Sequence, residues 1–335
     1  MAYQTGSATD MGDLLSKLDT FMVANGWTQD DFDDGATVSS EGFAAWNKNS
    51  MYISMRWQAD SPNHLAIYQA LGHTPGNDPG AHPDDSGSGF NTNTSYSDGS
   101  LGGERAAHTL GNGPFLSYHF FEQDASPAYV HVVVETESEI FRHFGWGELE
   151  KFNDWTGGEY CYGQYAFPST SSTGVRTDTT ILLDGLFSST QTRAATIHAE
   201  GLPNQGASEK WLQHGGFTSK PATNDTAGEE RQNSFGGARA GPIAYPLGQF
   251  RSDVATGHIP MYPLGVFLRD WTNDFTYFLG SQPDVRGIDM FNFASGQTVT
   301  IGSDQWVLFP TARRTEDNVI NRTYYQGFAY KKVTA

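Results

Sequence analysis

The run YVHVVVETE, Tyr129 to Glu137, limits the fold more than any other stretch of this chain. Four of its first six residues are Val, and β-branched side chains favour strands. In a strand, successive side chains point to opposite faces. Tyr129, His131 and Val133 then share one face, and Val130, Val132 and Val134 share the other. Both faces are apolar, so the strand belongs in the interior of a sheet that is covered on both sides. The wider composition agrees. Hydrophobic residues are 37% of the 335, aromatics are 13%, and there are 38 glycines. Rings therefore carry much of the apolar area, and rings suit strands joined by tight turns. The expected class is mainly β (α+β): β-sandwich-like sheets, a short N-terminal helix and long Gly/Pro-rich loops.

The helix is expected after Thr9 or Asp10, either of which can cap it. Met11, Leu14, Leu15, Leu18, Phe21 and Met22 recur at helical spacing, and Asn25-Gly26 ends the pattern. Leu14, Leu18, Phe21 and the following Trp27 are expected to pack the helix on its own domain, with docking on a neighbouring subunit as the alternative. MYISMRW (51–57), HLAIYQAL (64–71), GPFLSYHFFE, TTILLDGL (179–186) and the hairpin QTVTIGSDQWVLFP read as strands, and YYQGFAYKK as a closing strand. GPIAYPLGQF and HIPMYPLGVFLRDW carry prolines and are expected at sheet edges or in turns. Residues 72–114 are rich in Gly, Pro, Asn, Asp and Ser and read as a loop arm; 203–240 reads as a second polar loop. The expected organisation is therefore 1–202 as helix plus β-rich core, 203–240 as loop, and 241–335 as a C-terminal β-rich part packed on that core.

With 38 acidic against 20 basic residues, the net charge of -18 disfavours binding to nucleic acid or to anionic lipid. No apolar run is long enough to suggest a transmembrane helix, and the first thirty residues do not read as a signal peptide. Asp30 to Gly35, DDFDDG, lacks calcium-loop spacing and reads as a solvated acidic turn. Cys161, between Tyr160 and Tyr162, reads as a buried inert thiol. His119, His131 and His143 are spaced by twelve residues. They could share a metal if three adjacent strands lay in register, but zinc sites normally include a closer pair, so His131 reads as a core histidine. Glu148 with Glu150, and Asp84 with Asp85, are as well explained by solvation as by hydrolysis. GGERAAH and FGGARAGP lack the lysine and strand-to-helix context of a phosphate loop. No catalytic residue, cofactor or metal is expected.

The stretch FRHFGWGELEKFNDWTGGEY alternates rings with glycines. Phe144, Trp146, Phe152, Trp155 and Tyr160 are expected to form one aromatic cluster where the sheet turns a corner, since glycine lets backbone pass close under a ring.

VHVVVETESEIFRHFGWGELEKFNDWTGGEYCYGQY resembles a segment of virion structural proteins of tailed bacteriophages. LLSKLDTFMVANGWT, NHLAIYQALGHTPG, TIGSDQWVLFPTARR and YYQGFAYKK resemble parts of the same group. The resemblance implies a structural, non-enzymatic oligomeric part of the virion, in the tail or baseplate, assembled in the host bacterial cytoplasm. Its implied partners are copies of itself and other phage virion proteins. Alternatives are a neck or capsid-exterior component, or a glycan-binding, adhesin-like or glycan-degrading tail protein.

Overall fold

The structure is a computed structural model. It describes residues 2–35, 41–58, 64–77, 106–163, 165–167, 176–178, 193–202, 211–215, 238–240, 261–270, 275–290, 292–310 and 326–332. The expected strand TTILLDGL, the segment GPIAYPLGQF and the pair Asp84–Asp85 lie outside these residues.

In chain order the first elements are β1 (Ala2–Ala8), α1 (Met11–Ala24), β2 (Thr28–Asp33), β3 (Glu41–Lys48), β4 (Met51–Gln58), β5 (His64–Ala70), β6 (Ala106–Thr109) and β7 (Phe115–Gln123). Then come β8 (Tyr129–Glu137), β9 (Ile140–Glu148), β10 (Glu150–Lys151), β11 (Thr156–Tyr162), β12 (Tyr165–Phe167), β13 (Arg176–Asp178), β14 (Arg193–Glu200) and β15 (Trp211–Gly215). The last are β16 (Ala238–Ala240), β17 (Met261–Asp270), β18 (Phe275–Asp289), β19 (Thr298–Ile301), β20 (Asp304–Pro310) and β21 (Gln326–Lys332).

The fold is mainly β, with antiparallel sheets and one helix among the described residues. The central sheet has the order β1-β7-β8-β9-β11-β14-β15. A second sheet runs β2-β3-β4-β5-β6, and a third runs β16-β17-β18-β21-β20-β19, with β10 paired to β18; β12 and β13 form a small pair of their own.

Strand β8 sits inside the central sheet, as its two apolar faces require. Val130, Val132 and Val134 enter one core, together with Phe120, Phe144 and Trp146 from neighbouring strands. The opposing wall is α1 and the β2–β6 sheet, through Leu14, Leu18, Phe21, Trp27, Trp46 and Ile53. Val133, Tyr160, Tyr162 and Ile197 enter a second core against Leu264, Val285, Phe309, Phe328 and Tyr330 of the third sheet. A smaller core, Ile288, Met290, Phe293, Trp306 and Leu308, covers the far face of that sheet. The molecule is thus a stack of sheet layers, each gap filled by side chains from facing strands.

The local devices are legible. Asp10 caps α1 by accepting the Asp13 amide at 2.9 Å, and Gly26 at φ 83° closes it. In β9, glycines alternate with large residues. A Cβ on Gly145 would lie 2.5 Å from the Val130 carbonyl oxygen and 2.9 Å from the Tyr162 ring; one on Gly147 would lie 2.6 Å from the Tyr129 Cβ. These positions leave room for the rings of β8 and β11 in the same cross-strand rows.

Several expectations are corrected. Asp30–Asp33 is the core of edge strand β2 rather than a solvated turn, because Phe32 packs into the first core and the backbone pairs with β3. Pro263, by contrast, keeps an edge position: it pairs with Arg286 of β18 and lies outside the Val266–Leu268 stretch that β16 pairs. The arm at 72–114 contributes β6 to the second sheet, and the segment 203–240 contributes β15 to the central sheet and β16 to the third. QGFAYKK forms the expected last strand of the chain, β21, which lies inside the third sheet between β18 and β20.

Candidate functional site

Among the described residues, three histidines and several tyrosines gather at the second core. His119 and His143 flank Val133 in one cross-strand row, while His131 stands in the next row between Phe121 and Gly145. All three rings approach the same two rings of the third sheet: His119 lies 4.7 Å from Phe309, His131 5.6 Å from Tyr330, and His143 5.8 Å from Tyr330, stacked on it. The twelve-residue spacing therefore brings them to one face. Their nitrogens, however, reach different partners. Tyr3 Oη is 2.9 Å from His119 Nδ1, and Tyr162 Oη is 3.0 Å from His131 Nδ1. His143 Nδ1 is 2.8 Å from Tyr330 Oη, and its Nε2 is 2.8 Å from the Pro310 carbonyl oxygen. That carbonyl can only accept, so Nε2 carries the proton and Nδ1 accepts from Tyr330. Among the described residues, no three His, Cys, Asp or Glu side chains are grouped to hold a metal ion.

Burial keeps this seam neutral. It pushes His119 down to about 4, and His131 down to about 3 against the favourable Pro283 backbone. It likewise pushes His143 down to about 3. Tyr160, Tyr162 and Tyr330 are all raised, chiefly by burial. Tyr129 is raised by burial and by Asp284, whose Oδ2 accepts its hydroxyl proton at 3.0 Å. The His143 bonds join the central sheet to the third, while the Tyr3–His119 and His131–Tyr162 bonds run within the central sheet.

The five residues expected to form one aromatic cluster are separated. Phe144 and Trp146 face the first core, where Trp146 stacks on Trp46 at 6.2 Å and meets Trp27 edge-on at 6.3 Å. Tyr160 faces the second core, with Trp155 packed partly buried against it. Phe152 is 54% exposed and contacts Phe278, itself 37% exposed, at 5.5 Å. The reason is the crossover at β10. After β9 the chain leaves the central sheet to pair with β18, where the Phe152 amide and the Trp155 indole N–H both donate to the Leu279 carbonyl, and β11 then returns. Leu14, Leu18, Phe21 and Trp27 all lie in the first core, on the helix's own domain. Cys161 is buried in the same core. Glu148 and Glu150 bind Ser126 and Ser281 respectively, and Glu148 also accepts the Ala128 amide.

Two polar clusters were not legible in the sequence. Lys48 is almost fully buried, and its Nζ reaches Glu122 Oε1 at 3.0 Å, Asp124 Oδ1 at 2.7 Å and the Asn25 carbonyl at 2.8 Å. Burial raises the Glu122 carboxyl, with Lys48 opposing the shift. His198 lies between Glu159, 2.7 Å from its Nδ1, and Glu200, 2.9 Å from its Nε2; Ser50 donates to Glu159 at 3.2 Å. Burial alone would push His198 down, but the two carboxylates outweigh it and raise the ring. The i, i+2 pair His198/Glu200 was the sequence signal; Glu159 comes from a neighbouring strand.

A shallow open cleft of about 550 Å³ lies at the start of α1, lined by Asp10, Asp13, Ser16, Asp34, Trp57 and Asn112 among others. Two of its carboxylates already serve α1: Asp10 caps it, and Asp13 bonds Lys17 and Thr9. No helix among the described residues is long and apolar enough to cross a membrane. Compared with known protein families and with curated proteins, the chain matches none.

Proposed function

We propose that this protein is a structural component of a tailed-bacteriophage particle, in the tail or baseplate, and that it works through interfaces with copies of itself and other virion proteins. The observation that carries this reading is the use to which the chain puts its reactive side chains. His143 bonds Tyr330 and Pro310 of the third sheet, Tyr129 bonds Asp284 there, and the His119 and His131 rings, bonded within the central sheet to Tyr3 and Tyr162, pack on Phe309 and Tyr330 across the gap. The segment resembling virion proteins supplies β8, β9 and β11, the middle of that stack. A stack of this kind is a rigid body suited to bearing contacts on its outside. Mass spectrometry of purified particles of the virus encoding the chain tests the reading. A fixed copy number relative to the other structural proteins is expected, and absence from the particles overturns it.

A glycan-binding role is the second reading, and the Phe152–Phe278 pair favours it. Two neighbouring exposed rings, held by backbone bonds, form a platform on which a sugar face can stack. Retention on a glycan array that is lost in Phe152→Ser supports it; no retention of the parent protein removes it.

A further inference from the structure

Strand β1 is an edge of the central sheet, and its middle residues, Thr5, Gly6 and Ser7, are exposed. An edge strand presents a row of N–H and C=O groups to any strand that can reach it. The other described edges are short or charged. β2 carries Asp30, Asp31 and Asp33 and is bulged between Gln29 and Asp31. β6 and β19 have four residues each, β16 has three and β15 has five. β1 has seven residues, AYQTGSA, with no charge and no proline, and its register is regular from Ala2 to Gly6, shifting only between Gly6 and Ala8.

That neutrality matters in a chain of net charge -18, because two copies repel across most of their surfaces. The β1 strip itself carries no charge, and two lysines stand beside it, Lys17 being ion-paired with Asp13. Lys17 donates to the Ser7 carbonyl at 2.9 Å, and Lys332 lies 4.8 Å from the Tyr3 ring centroid. On the adjoining strand β7, Leu116 is 52% exposed and supplies an apolar contact beside the edge. A partner related by a two-fold axis offers the same neutral strip, so the surface is its own complement. We propose that β1 pairs antiparallel with β1 of a second copy about an axis near Thr5, joining two seven-stranded central sheets into one continuous sheet. The proposal rests on the reading that the protein works through interfaces and names one of them.

Sedimentation of the isolated full chain tests it, using the parent, Thr5→Lys, Leu116→Glu and, as a remote control, Ile301→Lys on β19. The parent and Ile301→Lys are expected to be dimers at micromolar concentration. Thr5→Lys and Leu116→Glu are expected to dissociate on the order of a hundredfold more readily, with native-like circular dichroism. If Thr5→Lys fails to fold, the Leu116→Glu result decides. A parent that stays monomeric at high concentration, or Thr5→Lys and Leu116→Glu proteins that dimerise like the parent, overturns the pairing. A monomeric parent that is nonetheless present in particles removes this interface and leaves the assembly reading standing. A dimer absent from particles does the reverse.

Discussion

Acid should weaken this protein well before its carboxylates titrate, and the buried histidines set the size of the effect. His119, His131 and His143 have ordinary values of 6.5 when unfolded and are held at about 4, 3 and 3 in the fold. Above 6.5 the rings are neutral in both states and do not affect the balance. Below it the unfolded chain binds protons that the native state refuses, so stability falls until the folded values are reached. Each ring contributes about 1.4 kcal/mol per pH unit in that window, so three contribute about 4 kcal/mol per unit. From about pH 6 to about pH 4.5 the loss is about 6 kcal/mol, comparable with the whole stability of many domains. His198 adds little here, because its raised value keeps it protonated in both states. Urea unfolding followed by tryptophan fluorescence across this range measures the slope. His143→Gln should reduce it by about one third, whatever the variant's stability at neutral pH. A His119, His131 or His143 ring that titrates near 6.5 in NMR spectra of the folded protein, or a slope indifferent to His143→Gln, would refute the argument.

Other outcomes follow from single contacts. Trp146→Ala removes a fully buried ring stacked on Trp46 and should cost about 3–5 kcal/mol by equilibrium unfolding. Lys48→Met leaves Glu122 buried without its cation and should destabilise by about 3–5 kcal/mol at neutral pH, less in acid where the carboxyl is protonated. The raised His198 contributes stability that is complete below about pH 6.5 and disappears as pH rises through its folded value; Glu159→Gln should flatten that alkaline decline in melting temperature. Gly145→Val should unfold the protein or misplace β8, because its Cβ would meet the Val130 carbonyl; native-like circular dichroism and melting would contradict the close packing.

The layered plan was readable where a pattern is local. The alternation in Tyr129–Glu137 placed β8 inside a doubly covered sheet, because a period of two assigns every side chain to a face without knowing what lies opposite. The helical stripe from Met11 to Met22 and its Asp10 cap were readable for the same reason. Partners across layers were not. His143 meets Tyr330 and Pro310, and Tyr129 meets Asp284, all more than a hundred residues away. The expected single cluster of Phe144, Trp146, Phe152, Trp155 and Tyr160 separated because adjacency along the chain says nothing about a crossover to another sheet. Thus the amino-acid order alone determined the strand-rich class, the capped helix and the faces of β8. Only the tertiary structure decided which faces meet, which histidines are locked and which rings remain exposed, because those depend on distances closed by folding rather than on intervals along the chain.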